Sequence, residues 1–114
     1  MNHPKKLLFI RRKAEEHVEG TNEKIMWSFH AVKKLRLEGL RKIQVEAALK
    51  EAILIEDYPE QGRPLPDCLI LGFFEGDPIH VVVAIDNDSD RIIIVTVYQP
   101  DLGRWENDWK TRKR

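Results

Sequence analysis

The stretch that most limits what this chain can become is residues 76 to 105, GDPIHVVVAIDNDSDRIIIVTVYQPDLGRW. Two β-branched runs, Ile79 to Asp86 and Arg91 to Tyr98, flank the polar cluster Asn87, Asp88, Ser89 and Asp90, the composition of a turn between paired strands. The pattern predicts one long β-hairpin and commits the chain to an antiparallel sheet. Alternation divides its first strand into an apolar set, Ile79, Val81, Val83 and Ile85, expected to face the core, and a second set, His80, Val82, Ala84 and Asp86, on the other face. On the return strand Ile93, Val95 and Val97 are expected in the core. Thr96 and Tyr98 suit the open face, with His80 opposite one or the other.

Around the hairpin, Cys68 to Phe74 reads as another apolar strand. Leu69, Leu71 and Phe73 are expected in its core, leaving Cys68, Ile70, Gly72 and Phe74 beside His80, with Gly72 leaving space there. Ile53 to Tyr58 is a strand ended by Pro59, and residues 60–66 are too rich in Pro and Gly to be regular. Upstream the period becomes helical. Residues 5–19 form a helix whose first half carries Lys5, Lys6, Arg11, Arg12 and Lys13, either a phosphate-facing patch or a solvated helix end. Gly20, Thr21 and Asn22 end it. Ser28 is an N-cap for a helix from Phe29 to about Glu38, which Gly39 stops, and Lys42 to Ala52 makes a third; these last two are expected to pack as a helical hairpin.

The predicted fold class is therefore α+β, with N-terminal helices packed on one face of an antiparallel four-stranded meander. The 114 residues suit a single domain, divided into a basic helix (1–24), a helical hairpin (28–52), a sheet (53–98) and a polar tail (99–114). The 19 basic and 19 acidic residues cancel, so any nucleic-acid contact has to come from a local patch. Cys68 is alone, which excludes an intramolecular disulfide and fits a reducing, cytoplasmic setting. The apolar run Leu7 to Ile10 ends at Arg11-Arg12-Lys13, too short for a signal peptide or a membrane span.

The chemistry-bearing constellation is the expected open face: His80 bordered by Gly72, Thr96 and Tyr98, with His30 and Lys34 at its rim. A histidine and a tyrosine flanked by cations can act on a phosphodiester. One group takes the ribose hydroxyl proton, another protonates the leaving oxygen, and lysine or arginine neutralises the developing charge. The competing role for each of these side chains is a structural hydrogen bond. Asp86, Asp88 and Asp90 start like a calcium loop, but Arg91 stands where glycine is needed and Val97 where the bidentate glutamate is needed, so they read as an acidic turn. There is no phosphate-binding glycine loop, nucleophile elbow or zinc-ligand spacing, and neither a metal nor a cofactor is expected.

The segments SFHAVKKL (28–35), Gly39-Leu40, LILG (69–72), IHVVVAI (79–85) and IVTVYQP (94–100), closing near Trp105, resemble the prokaryotic domain-of-unknown-function family 4258 over about residues 25–110. His30, Ala31, Gly39, Gly72, His80, Thr96, Tyr98, Pro100 and Trp105 match its pattern. Lys34 and Glu38 stand where members usually carry arginine; lysine keeps the charge without the planar two-pronged grip on phosphate, and glutamate reverses it. The resemblance implies kinship with the RelE and BrnT toxins, a compact helix-then-sheet fold and, by analogy, RNA cleavage.

Three functional readings are expected. The first is a toxin-like domain that binds RNA, on or off the ribosome, and cleaves it without metal. His80, Tyr98 and His30 would be the acid-base groups, Lys34, Arg104 and Arg112 the phosphate contacts, and Gly72 and Thr96 the site lining. The alternative is a non-catalytic interaction module that binds a protein antitoxin, or a second copy as a homodimer, through the sheet face or the hairpin edge. A third is an orphan domain holding a small ligand on its apolar face.

Overall fold

The computed structural model describes residues 2–20, 22–58 and 64–114; Thr21 and the expected proline stop and loop start at 59–63 lie outside the described residues. In chain order the elements are α1 (His3–Glu19), β1 (Ile25–Trp27), α2 (Phe29–Leu37), α3 (Lys42–Leu49), β2 (Ile53–Tyr58), β3 (Asp67–Phe74), β4 (Asp77–Asp86) and β5 (Arg91–Tyr98). The hairpin forms where the β-branched runs and the polar turn place it, as β4 and β5. It occupies the interior of a five-stranded mixed sheet of order β1-β5-β4-β3-β2.

The fifth strand corrects the four-stranded antiparallel expectation. β1 runs parallel to β5, with Ile25, Met26 and Trp27 opposite Ile92, Ile93 and Ile94. Three residues are too few to show a period, and β1 is held largely by distant partners. The His17 imidazole Nδ1 accepts the backbone N–H groups of Lys24 and Ile25 at 3.0 and 3.3 Å, and the Trp27 indole donates to the Glu46 carboxylate at 3.0 Å.

Each helix starts or stops for a local reason. The Asn2 side chain accepts from the Lys5 amide to cap α1, and the Ser28 hydroxyl accepts from Ala31 N–H to cap α2. Gly39 takes a positive φ of 68° that lets the chain turn back after α2. The expected pairing of α2 and α3 as a helical hairpin does not occur. Instead α2 packs on β5, while α3 packs on β3 and α1, so each helix answers to the sheet before it answers to its neighbour in sequence.

The cations of α1 serve the frame. Lys6 is buried and bonded to Asp57, Lys13 is buried between Glu16 and Asp90, and the Arg11 guanidinium donates to the Ala52 carbonyl at 2.8 Å. This uses three of the five charges in the basic patch, which favours the structural account of that helix over a phosphate-facing one.

The core gathers Ile79, Val81, Val83 and Ile85 of β4 against Ile10 and Ala14 of α1, Ala31 and Leu35 of α2, and Val45, Ala48 and Leu49 of α3. Each fully buried Val, Leu or Ile contributes about 1.5–3 kcal/mol. On β3 the expected faces are reversed. Cys68, Ile70 and Gly72 pair with Val83, Val81 and Ile79 and share the helix face, whereas Leu69 and Leu71 pair with Val82 and His80 on the other. Both sets are apolar, so alternation alone does not choose between them; α3 does. A Cβ on Gly72 would lie 2.7 Å from the Ala48 carbonyl oxygen, and only glycine admits so close a helix.

On β5 the phase changes midway. Val82 opposes Thr96 but Val83 opposes Ile94, so Val95 is an extra residue, a bulge. Ile92 and Ile94 are therefore core, with Val97 as expected, while Ile93 and Val95 leave it.

The expected polar tail is folded structure. Trp105 is buried and forms an isolated antiparallel bridge with Arg112. No helix among the described residues is long and apolar enough to cross a membrane.

Candidate functional site

His80 and Tyr98 are directly opposed on β4 and β5, on the face away from the helices. That face is not open at His80, whose side chain is 0% exposed. The edge of the imidazole meets the Trp105 ring at a centroid distance of 4.4 Å and an interplanar angle of 86°. Its Nε2 lies 2.7 Å from the Trp109 carbonyl oxygen and its Nδ1 3.1 Å from the Tyr98 hydroxyl. A carbonyl only accepts, so Nε2 carries the proton and donates; Nδ1 of the neutral ring then accepts from Tyr98. Burial pushes the His80 pKa below its ordinary value, only partly countered by the Trp109 bond, and so reinforces the neutral form.

Beside this bracket runs a second contact between tail and sheet. The Arg112 guanidinium grips the Glu56 carboxylate with two bonds, Nε at 2.6 Å and Nη2 at 3.0 Å, and its centre sits 4.7 Å from the centroid of the Trp105 ring. The Tyr58 hydroxyl donates to the same carboxylate at 2.9 Å. The Arg112 bond holds Glu56 below the usual carboxylate range. Burial and the Glu56 bond push Tyr58 up to about 12.

Where the tail leaves β5, a cleft of about 410 Å³ opens, lined by Lys34, Glu38, Tyr98, Gln99, Pro100, Asp101, Arg104, Trp105 and Arg112. Its cations come from opposite ends of the chain, Lys34 from α2 and Arg104 and Arg112 from the tail. Among the described residues Lys34 and Arg104 have no carboxylate partner. Glu38 is tied down, its carboxylate accepting the Gln99 N–H while its own carbonyl accepts from the Gln99 amide at 2.8 Å. The phenol of Tyr98 is half-buried in the wall, and burial raises its pKa. Its hydrogen goes to His80, so the oxygen's lone pairs remain as acceptors.

The structure thus brings Tyr98, Lys34, Arg104 and Arg112 to one cleft and sets His80 behind Tyr98. It separates the other three site residues expected from the sequence. His30 is exposed and its Nε2 meets the Thr96 hydroxyl at 3.1 Å, a contact between α2 and β5 that lies outside the cleft lining. Thr96 is spent on that contact. Gly72 lies on the helix face against Ala48 and lines nothing beside His80.

Glu56, Trp105 and Trp109 complete the site; Trp105 is marked in the sequence only by the family resemblance, and Glu56 and Trp109 carry no recognisable local pattern beyond the presence of two tryptophans in an otherwise polar tail. Cys68 is buried, its thiol pushed up to about 12 by burial, and is no nucleophile. Asp90 pairs with Lys13 and Lys24, and Asp86 with Arg91, so these carboxylates of the acidic turn are matched to cations.

The fold and cleft define an α+β domain with a groove, lined by three cations and two acids, where its last strand meets its tail. The chain belongs to the family described as Domain of unknown function (DUF4258), whose model matches residues 27–99. No curated protein and no solved structure matches it.

Proposed function

We propose that this is a toxin-like, RNA-binding domain of the RelE and BrnT type that takes the RNA backbone in the cleft beside Tyr98. The observation that carries this reading is the convergence of Lys34 and Arg104, neither with a carboxylate partner among the described residues, on one groove with Arg112. Such cations neutralise phosphate and release counterions. Glu38 and Asp101 in the same lining oppose them and favour a ligand that presents hydrogen-bond donors, such as ribose hydroxyls, beside its phosphates.

In the ribonuclease form of this reading the group that meets the substrate is Tyr98. As the ribose 2′-oxygen forms its bond to phosphorus, its proton passes to the Tyr98 oxygen and the phenol proton to His80 Nδ1; the bond from phosphorus to the 5′-oxygen breaks, the departing oxygen takes a proton from the Lys34 ammonium, and Arg104 stabilises the charge on the remaining phosphoryl oxygens. His80 is then a positioning residue and proton acceptor behind Tyr98. No metal enters this scheme.

Fluorescence anisotropy of a labelled single-stranded RNA tests the binding step. The wild type should lose affinity steeply with salt, and Lys34→Ala/Arg104→Ala should weaken binding and flatten the salt slope by about 0.7 per lost contact. Equal affinity of the two proteins would sink the proposal. Induced expression of wild type beside Tyr98→Phe, read for growth and total RNA integrity, tests cleavage; identical growth with intact RNA in both removes the enzyme.

The second reading, a non-catalytic module for an antitoxin or a second copy, is supported by α2, where Phe29 is 97% and Leu37 70% exposed. The sheet offers it little. β4 and β5 have neighbours on both sides, and the tail covers the face at His80.

A further inference from the structure

The outer face of α2 carries Phe29, Val32, Lys33, Arg36 and Leu37, which are spaced i, i+3, i+4, i+7 and i+8 and so lie on one side of the helix. Ala31 and Leu35, on the inner side, fill the core, and Lys34 lines the cleft. The outer five line a concavity of about 620 Å³ whose exposed surface is mostly apolar. The α2 segment FHAVKKLRL contains no acidic residue, and among the described residues Lys33 and Arg36 have no carboxylate partner. Phe29 and Leu37, joined by Val32, form a contiguous apolar strip of the kind that marks an interaction surface.

We infer that this groove docks an acidic amphipathic helix of a different protein, whose apolar side chains enter between Phe29 and Leu37 and whose carboxylates meet Lys33 and Arg36. The inference rests on the interaction-module reading and moves it from the sheet to α2.

Charge decides the occupant. A second copy joined about a two-fold axis through α2 would set Lys33 against its own symmetry mate with Arg36 close by, like charges across a small interface. A helix bearing glutamates on one flank turns both cations from a liability into contacts.

The test uses the whole chain and two labelled synthetic helical peptides with identical Leu positions, one with Glu and one with Lys at the flanking sites. The Glu peptide should bind with micromolar affinity and protect α2 amides from hydrogen exchange. Phe29→Ser and Leu37→Ser, both at exposed positions, should each weaken it tenfold or more. Lys33→Glu/Arg36→Glu should reverse the preference to the Lys peptide, a result that altered folding would not produce.

Equal binding of both peptides, or none, overturns the acidic-partner inference. A concentration-dependent dimer in sedimentation velocity that Phe29→Ser disperses overturns it in favour of self-association and leaves the interaction-module reading standing. Binding to phosphatidylglycerol vesicles that Phe29→Ser abolishes overturns both.

Discussion

The Nε2 of His80, in the middle of the sheet, donates a 2.7 Å hydrogen bond to the carbonyl oxygen of Trp109, in the tail. The only charge-neutral way to satisfy that bond and the Tyr98 bond together is one tautomer, so the ring is a fixed bracket between strand and tail. His80→Ala removes the packing against Trp105 and leaves the Trp109 carbonyl without its donor. A loss of about 3 kcal/mol is expected, read as a lower urea midpoint at unchanged m. Tyr98→Phe removes one bond with the ring kept, and should cost about 1 kcal/mol. Equal midpoints for His80→Ala and wild type would show that the bracket holds nothing.

The same burial sets a pH dependence. Above about 6.5 the ring is neutral in both folded and unfolded chains, and the contribution of the bracket is complete. As pH falls, the unfolded chain takes up a proton from solvent at a higher pH than the folded chain does, because burial holds the His80 pKa below its ordinary value. Stability should therefore drop from about pH 6.5 downward, by at most about 1.4 kcal/mol per pH unit from this group, until pH falls through the depressed folded value. Glu56 facing the ring raises that value and Arg112 lowers it. Denaturation midpoints for wild type and His80→Gln between pH 7.5 and 5.5 isolate the effect: the wild type should show the steeper decline, and parallel curves would count against it.

Gly72→Ala should push α3 off the sheet. The new methyl would meet the Ala48 carbonyl oxygen at 2.7 Å and the Ala48 Cβ at 2.9 Å, and backbone cannot yield as a flexible side chain does. The expected cost is about 1–3 kcal/mol, measured by thermal or urea unfolding. Adding Ala48→Gly should recover only part of it, since the carbonyl clash stays.

Glu38→Gln keeps an oxygen to accept the Gln99 amide and removes a negative charge from the cleft lining. If the groove holds RNA phosphate, affinity at low salt should rise by on the order of 1 kcal/mol, and the gain should shrink as salt is added. Anisotropy titrations at two salt concentrations check this, with unfolding curves confirming that stability is nearly unchanged.

How far the sequence could be read depended on whether a residue's neighbours were local. The β4–β5 hairpin, the Ser28 cap and the Gly39 stop are written in consecutive residues and appear in the structure where expected. The opposition of His80 and Tyr98 was also legible, as one of two registers. The faces of β3 were not, because Leu69 and Leu71 are as apolar as Cys68 and Ile70, and only the approach of Ala48 to Gly72 separates them. The Val95 bulge inverted part of β5 for a similar reason: every residue from Ile92 to Val95 is β-branched and apolar, so no slip in phase shows. β1 depends on the side chains of His17 and Glu46 and on pairing with β5 some 67 residues later in the chain. Within the site, charge and alternation point to the four cleft residues Tyr98, Lys34, Arg104 and Arg112, whereas the burial of His80 depends on a tail whose polar composition conceals that it folds.

The family match ends at Gln99, yet one of the two hydrogen-bond partners of His80, the Trp105 ring that packs on it and two of the three cleft cations lie beyond that point. The matched segment is thus not by itself a unit of folding. A fusion or tag joined directly after residue 99 would strip the lid from a buried imidazole and act as a core mutation.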